Sequence, residues 1–213
     1  FHCRDCALVQ LTGTAEMSVM YGSGYGYRSS ATSVMRKHLE EIATEAQIYI
    51  SGKQDPLIVD IGCNDGYLLQ CFDYKNKIGF DPLGVDLGNK ANLGFQYVSD
   101  FFSEDTYTAT TDRKADLITS ISMFYDIEDP IKFTQSVYQI LSDEGVWIVE
   151  FSYLLDVVEQ LIYDSICHEH LLYLSLTSMI SILNKANLQI VDLSRNDLNG
   201  GSLRLVVAKN SNM

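Results

Sequence analysis

The chain has 213 residues, with 28 acidic and 15 basic side chains and a net charge of −13. A field of that sign repels phosphodiester backbones and excludes nucleic acid as a partner unless some patch is locally basic. The 46% hydrophobic and 20% charged content is that of a globular protein, and no apolar run approaches the roughly 20 residues that cross a bilayer, which excludes a membrane partner. The length suits one α/β domain with short appendages. Cys3, Cys6, Cys63, Cys71 and Cys167 are odd in number and scattered. They read as reduced thiols, and so place the chain in the cytoplasm. The chain opens on Phe1 in a Cys-x-x-Cys loop, as a piece of a longer protein would.

Residues 1–30 read as irregular, with a Tyr/Gly-rich run from Tyr21 to Ser30. Val34, Leu39, Ile42 and Ala46 give helical spacing from Ser33 to about Ile50. Leu57-Ile58-Val59-Asp60-Ile61 is a short apolar run between Pro56 and Gly62, as in a strand buried on both faces. A helix is expected from Tyr67 to about Tyr74, a strand over 77–81, a short helix over 87–93 and a strand over 95–99. Further strands are expected over 116–121 and 145–150, with a helix from Pro130 to Leu141 between them. Strands alternating with helices predict a doubly wound α/β sheet, mostly parallel. Ser175 is placed to cap a helix running to about Ala186. The last two strands, 188–193 and 203–208, lack a helix between them and should pair antiparallel as a hairpin.

Ligands of such sheets sit beyond the carboxyl ends of the strands, near the reversal of strand order. There Gly62, Cys63, Asn64, Asp65 and Gly66 form a turn in which two glycines permit close backbone approach, and Asn64 occupies a third position that is often glycine. Asp60 stands at the end of its strand, where it can orient an ammonium group. Asp81 ends the next strand, about 20 residues on, as expected of a carboxylate that accepts from both ribose hydroxyls. Asp100 and Phe101 follow the third strand, suited to an adenine amine and ring. A glycine turn also occurs in dinucleotide-binding domains, a reading that the missing third glycine and the terminal hairpin disfavour, and each acid taken singly is compatible with a loop cap.

Chemistry is expected of Cys167-His168-Glu169-His170. In an extended stretch, His168 and His170 would share one side and Glu169 the other, and a histidine near a carboxylate makes a general base. A metal pair, or two structural histidines, are the alternatives. Cys167 as a nucleophile is a further one. Arg28, Lys37 and Arg204 are candidate cations for an anionic substrate, and Tyr25 and Tyr27 form either an aromatic wall over it or packing. Cys3 and Cys6 are half of a four-cysteine zinc site whose other half is absent from this chain, so no bound metal is expected.

Together Cys3-Arg4-Asp5-Cys6, Tyr25-Gly26-Tyr27-Arg28-Ser29, Ile61-Gly62-Cys63-Asn64-Asp65-Gly66, Met123-Phe124-Tyr125-Asp126, Cys167-His168-Glu169-His170-Leu171 and Gly200-Gly201-Ser202-Leu203-Arg204 resemble the deoxysugar C-methyltransferase family. That family belongs to the class I S-adenosylmethionine-dependent methyltransferases. The resemblance implies a Rossmann-like sheet ending in a β-hairpin, S-adenosylmethionine (or S-adenosylhomocysteine) as cofactor, and a keto sugar on a nucleotide as substrate. It implies that His170 is the base, supported by Glu169, that Ser122 and Met123 join the cofactor residues, and that Tyr125, Cys167 and Gly201 lie by the sugar. The family has an aromatic residue, often Tyr, at the position of Cys167. The resemblance also divides the chain, with 1–30 as the remnant of a zinc-binding region and substrate segment and 31–213 as the methyltransferase domain. Small-molecule O- or N-methylation, and cofactor binding without catalysis, remain the rival readings; oligomeric state is not legible.

Overall fold

The computed structural model describes residues 1–14, 16–21, 25–83 and 93–210. In chain order they form β1 (Val9–Gln10), α1 (Met17–Met20), α2 (Ser33–Ile50), β2 (Leu57–Ile61), α3 (Tyr67–Gln70), β3 (Asn76–Phe80), β4 (Gln96–Val98), α4 (Glu104–Thr108) and β5 (Ala115–Ile121). They continue with α5 (Pro130–Ile140), β6 (Leu141–Ser152), α6 (Leu154–Glu159), β7 (Leu172–Tyr173), α7 (Leu176–Asn184), β8 (Leu188–Asn196) and β9 (Ser202–Lys209). Seven strands make one sheet in the order β4-β3-β2-β5-β6-β9-β8. β2 pairs in parallel with β3 and β5, and β3 with β4, whereas β8 and β9 are antiparallel. The expected doubly wound α/β sheet with a terminal hairpin is therefore present. Strand order reverses between β2 and β5, which places ligand-binding positions at the carboxyl ends of these strands. No described helix is long and apolar enough to cross a membrane.

The chain divides into two compact units, Met17–Thr119 with Ile140–Val146, and Phe1–Glu16 with Ser120–Gln139 and Trp147–Met213. In the first, α2 starts where expected because the Thr32 side chain accepts from the Met35 amide at 3.2 Å. Every residue of β2 is buried, as its unbroken apolar run requires. α3 stops at Gln70, short of the expected Tyr74. The chain must turn at once to enter β3, and the Lys77 ammonium fixes that turn by donating to the Phe72 carbonyl at 2.7 Å. The helix expected over 87–93 falls almost wholly on residues 84–92, outside the described residues. α4 has no apolar period and rests on a reciprocal Ser103–Thr106 capping box.

In the second unit, β1 pairs antiparallel with β7 (Val9 with Tyr173, Gln10 with Leu172). The Trp147 indole is fully buried, donates to Ser120 Oγ at 3.0 Å and meets the Phe124 ring edge-on at 5.5 Å. Ser175 caps α7 as expected, through a reciprocal box with Ser178. The β8–β9 hairpin carries a register shift between Ile190 and Asp192. That irregularity blunts an otherwise exposed edge strand.

Candidate active site

The turn after β2 is built by three residues with positive φ: Gly62 (76°), Asn64 (49°) and Gly66 (74°). Gly62 and Cys63 both donate to the Phe80 carbonyl, at 2.8 and 3.1 Å, which locks the turn to the end of β3. A Cβ on Gly66 would lie 2.2 Å from the Phe95 ring, so only glycine fits. Asparagine tolerates the left-handed region better than most side chains, and Asn64 performs the conformational task of the missing glycine.

Asp60 and Asp81 stand at the carboxyl ends of two adjacent parallel strands, both buried. Thr119 Oγ1 donates to Asp60 Oδ1 at 2.6 Å. Burial outweighs that bond and, with Asp81 and Asp65 nearby, pushes Asp60 up to about 7. Asp81 accepts from the Asn64 amide through Oδ2 (2.8 Å) and from the Leu83 amide through Oδ1 (3.0 Å). Its pKa is raised by burial and eased by those amides and by the charge of Arg28. Each oxygen keeps a second lone pair, so two hydroxyl donors still have acceptors. Burial and the neighbouring acids push the Cys63 thiol well up, which leaves it unreactive.

The side chains of Asn64 and Asp65 have protein partners. Asn64 Oδ1 accepts from the Ser29 amide at 3.0 Å, its Nδ2 donates to the Tyr27 carbonyl at 3.2 Å, and Asp65 Oδ2 accepts from the Ser30 amide at 2.9 Å. They strap residues 27–30 to the turn. Arg28 donates to the carbonyls of Tyr25 and Tyr27, and the Tyr25 ring stacks obliquely on Tyr21 at 5.2 Å. Lys37 lies on the exposed face of α2, 3.6 Å from Glu41. Asp100 is exposed and accepts from the adjacent Phe101 amide at 2.7 Å, and Phe101 is exposed beside it.

In the other unit, the expected extended path through the histidines is not found, because Cys167–Glu169 form a bend after a 3₁₀ turn over Tyr163–Ser165. The alternation argument for His168 and His170 therefore fails. His168 is exposed, whereas Cys167, Glu169 and His170 are half-buried. His170 Nδ1 lies 2.8 Å from the Ser165 carbonyl, and the buried Tyr125 ring meets the imidazole edge-on at 4.5 Å. Ser122 has φ 54°, donates its amide to the Glu150 carbonyl at 2.9 Å, and has a buried hydroxyl without a hydrogen-bond partner among the described residues. Met123, half-buried, opens the short turn that carries Tyr125.

Arg204 does not present a cation to an anionic substrate. Both it and Glu150 are buried, and its Nε donates to Glu150 Oε2 at 2.8 Å, where Asn196 Nδ2 also donates at 3.0 Å. Gly201 has φ 126°, and a Cβ there would fall 2.4 Å from Asp156 Cγ, an acid paired with Arg195. The Cys3 thiol is lowered, chiefly by the backbone amides of Cys6 and Asp5. No group of three or more His, Cys, Asp or Glu able to hold a metal occurs among the described residues. Thr119, Ser165 and Glu150 were not singled out from the sequence. The Thr119-Ser120 pair inside an apolar strand was a usable signal for the first; the Ser165 contribution is a backbone carbonyl, to which residue type gives no clue.

A family profile described as a methyltransferase domain matches residues 27–193. The chain belongs to the methyltransferase-domain family. This methyltransferase-family chain is 27% identical over 210 residues to the C-methyltransferase NovU of Streptomyces niveus, a match that covers 97% of the chain and 50% of NovU. It thus spans about half the length of that relative. It is 28% identical over 112 residues to a tRNA U34 carboxymethyltransferase of Sulfurimonas denitrificans, covering 47% of the chain and 36% of that protein. Among solved structures, an S-adenosylmethionine-dependent methyltransferase from Clostridium acetobutylicum matches with a TM-score of 0.63 at 15% identity, over 83% of this chain and 92% of that one. The plantazolicin methyltransferase BamL, solved with a triazolic desmethylPZN analog and SAH, matches with a TM-score of 0.66 at 14% identity, over 85% of this chain and 87% of that one. These structures share the fold.

Proposed function

We propose that the protein is an S-adenosylmethionine-dependent C-methyltransferase whose acceptor is a keto sugar carried on a nucleotide. The observation that carries the cofactor reading is the pair of buried carboxylates, Asp60 and Asp81, beside a turn of positive-φ residues. Among the described residues no cation is paired with Asp60, and an ammonium group would remove the cost that raises its pKa; Asp81 retains acceptors for vicinal hydroxyls. In the other unit, the Ser122 hydroxyl is buried without a hydrogen-bond partner among the described residues. The residues present therefore fit the cofactor, which supplies an electrophilic methyl when bound.

The acceptor reading rests on the likeness to NovU together with His170. A keto group acidifies the neighbouring carbon, and an imidazole is suited to take that proton near neutral pH. Glu169 supports the imidazole, and Tyr27, Arg28 and Cys167 contribute to the sugar-nucleotide site. With a net charge of −13, a tRNA substrate is disfavoured, and a soluble small molecule in the cytoplasm is the fitting acceptor.

Calorimetry with S-adenosylhomocysteine and methylation assays on a nucleotide-linked keto sugar test the two parts separately. Asp81→Ala should weaken binding by about 10- to 100-fold, the worth of hydrogen bonds to a charged group. His170→Ala should leave binding intact and slow methylation by about 100-fold or more. Undiminished methylation by the His170 variant would favour oxygen or nitrogen as the acceptor.

A further inference from the structure

We infer that the Ser165 carbonyl holds His170 in the Nδ1–H tautomer, making Nε2 the proton-accepting atom, and that Gly200 is a positioning residue for this arrangement. The inference rests on His170 being the base. A backbone carbonyl carries no proton, so the 2.8 Å contact between Ser165 O and His170 Nδ1 is a hydrogen bond only when Nδ1 is the donor. Neutral imidazole has one N–H, which leaves the lone pair on Nε2. The Tyr125 ring, at 63° to the imidazole, fixes the plane in which that lone pair points.

The carbonyl is itself held. The Ser165 amide and hydroxyl both donate to the Ile162 carbonyl, at 3.3 and 2.8 Å, and the Ile162 amide donates to Val157 at 2.9 Å. The Ile162 side chain occupies the space that a Cβ on Gly200 would take: that atom would lie 2.1 Å from Ile162 Cδ1 and 3.3 Å from Cγ1, at a backbone φ of 82°. Any side chain at 200 therefore strains a left-handed backbone and forces the Ile162 side chain, carried on the turn that aims the Ser165 carbonyl, to shift. In the proton transfer, the carbon–hydrogen bond next to the keto group breaks and Nε2–H forms. The electron pair stays on the substrate as the enolate, and the imidazolium keeps its Nδ1–H bonded to Ser165. That bond strengthens as the ring becomes cationic, so it favours the transferred state.

The test is a two-bond proton–nitrogen correlation spectrum of ¹⁵N-histidine-labelled protein, recorded with the imidazoles neutral. His170 is expected to show a protonated Nδ1 and an unprotonated Nε2. An Nε2–H pattern at His170 would overturn the inference whatever the enzyme methylates. The same spectrum of Gly200→Ala should show both tautomers at His170, together with about tenfold slower turnover and unchanged cofactor affinity. Slower turnover with an unaltered Nδ1–H pattern would remove the positioning role of Gly200. If the tautomer is as stated but His170→Ala methylates normally, it is the function proposed above that fails.

Discussion

Among the described residues Asp60 accepts from one hydroxyl, that of Thr119, and lies buried near Asp81 and Asp65, so its charge is poorly supported. Its pKa, about 7, exceeds the ordinary carboxylate value of about 3.9. The folded state therefore favours the neutral acid. That contribution to stability is complete below about pH 4 and is lost as pH rises through about 7. A bound ammonium group reverses the preference. Affinity for S-adenosylhomocysteine should rise between about pH 6 and pH 8 as the carboxylate ionises, and thermal melting of the ligand-free chain should be lower at the higher pH. Asp60→Asn should melt higher than the parent at about pH 8 and lose the pH dependence of binding; equal slopes in parent and variant would refute the assignment. At this scale the placement of Asp60 and Asp81 at strand ends and of Gly62 and Gly66 in the turn was legible from sequence position alone. The strap made by Asn64 and Asp65 was not, since its partners lie 35 residues away. Nor was the pairing of Arg204 with Glu150, made across 54 residues.

Elements with a period and a cap were legible. α2 and α7 start at Thr32 and Ser175, whose side chains take up otherwise orphaned amides. α4, α6 and the β1–β7 pair were not, because two to six residues carry no period to read. The histidine segment was misjudged for a related reason: nothing in its composition marks the bend that the preceding 3₁₀ turn imposes. One side chain joins several elements. Asp116, at the start of β5, accepts from the Lys53 ammonium at 2.7 Å, the first amide of β2 at 2.9 Å, and Ser142 at the start of β6 at 3.3 Å. Burial pushes its pKa up, but these donors more than offset that and hold it below the usual value. Its contribution is thus present above the unfolded pKa and lost as pH falls through the folded one. Asp116→Ala should cost about 1–3 kcal/mol in urea denaturation at neutral pH, and the difference from the parent should shrink in acid. A cost independent of pH would show that the ion pair and hydrogen bonds are not its source.

At the scale of the molecule, alternation of apolar strands with helices was sufficient to predict the sheet. A closing pair without an intervening helix was sufficient for the antiparallel hairpin, found as β9 between β6 and β8. That arrangement, with strand order reversing at β2, is what brings Asp60, the glycine turn and Asp81 to one end of adjacent strands. Chemistry was less legible than architecture because a fold of this kind serves many acceptors. The claim that carbon is the acceptor is tested most directly by following hydrogen–deuterium exchange at the carbon next to the keto group. The assay uses a nucleotide-linked keto sugar in deuterated water, with S-adenosylhomocysteine present so that no methyl is transferred. The parent protein should catalyse the exchange, and His170→Ala should abolish it while still binding S-adenosylhomocysteine. Exchange at equal rates in both proteins, or methylation without any exchange, would contradict the account.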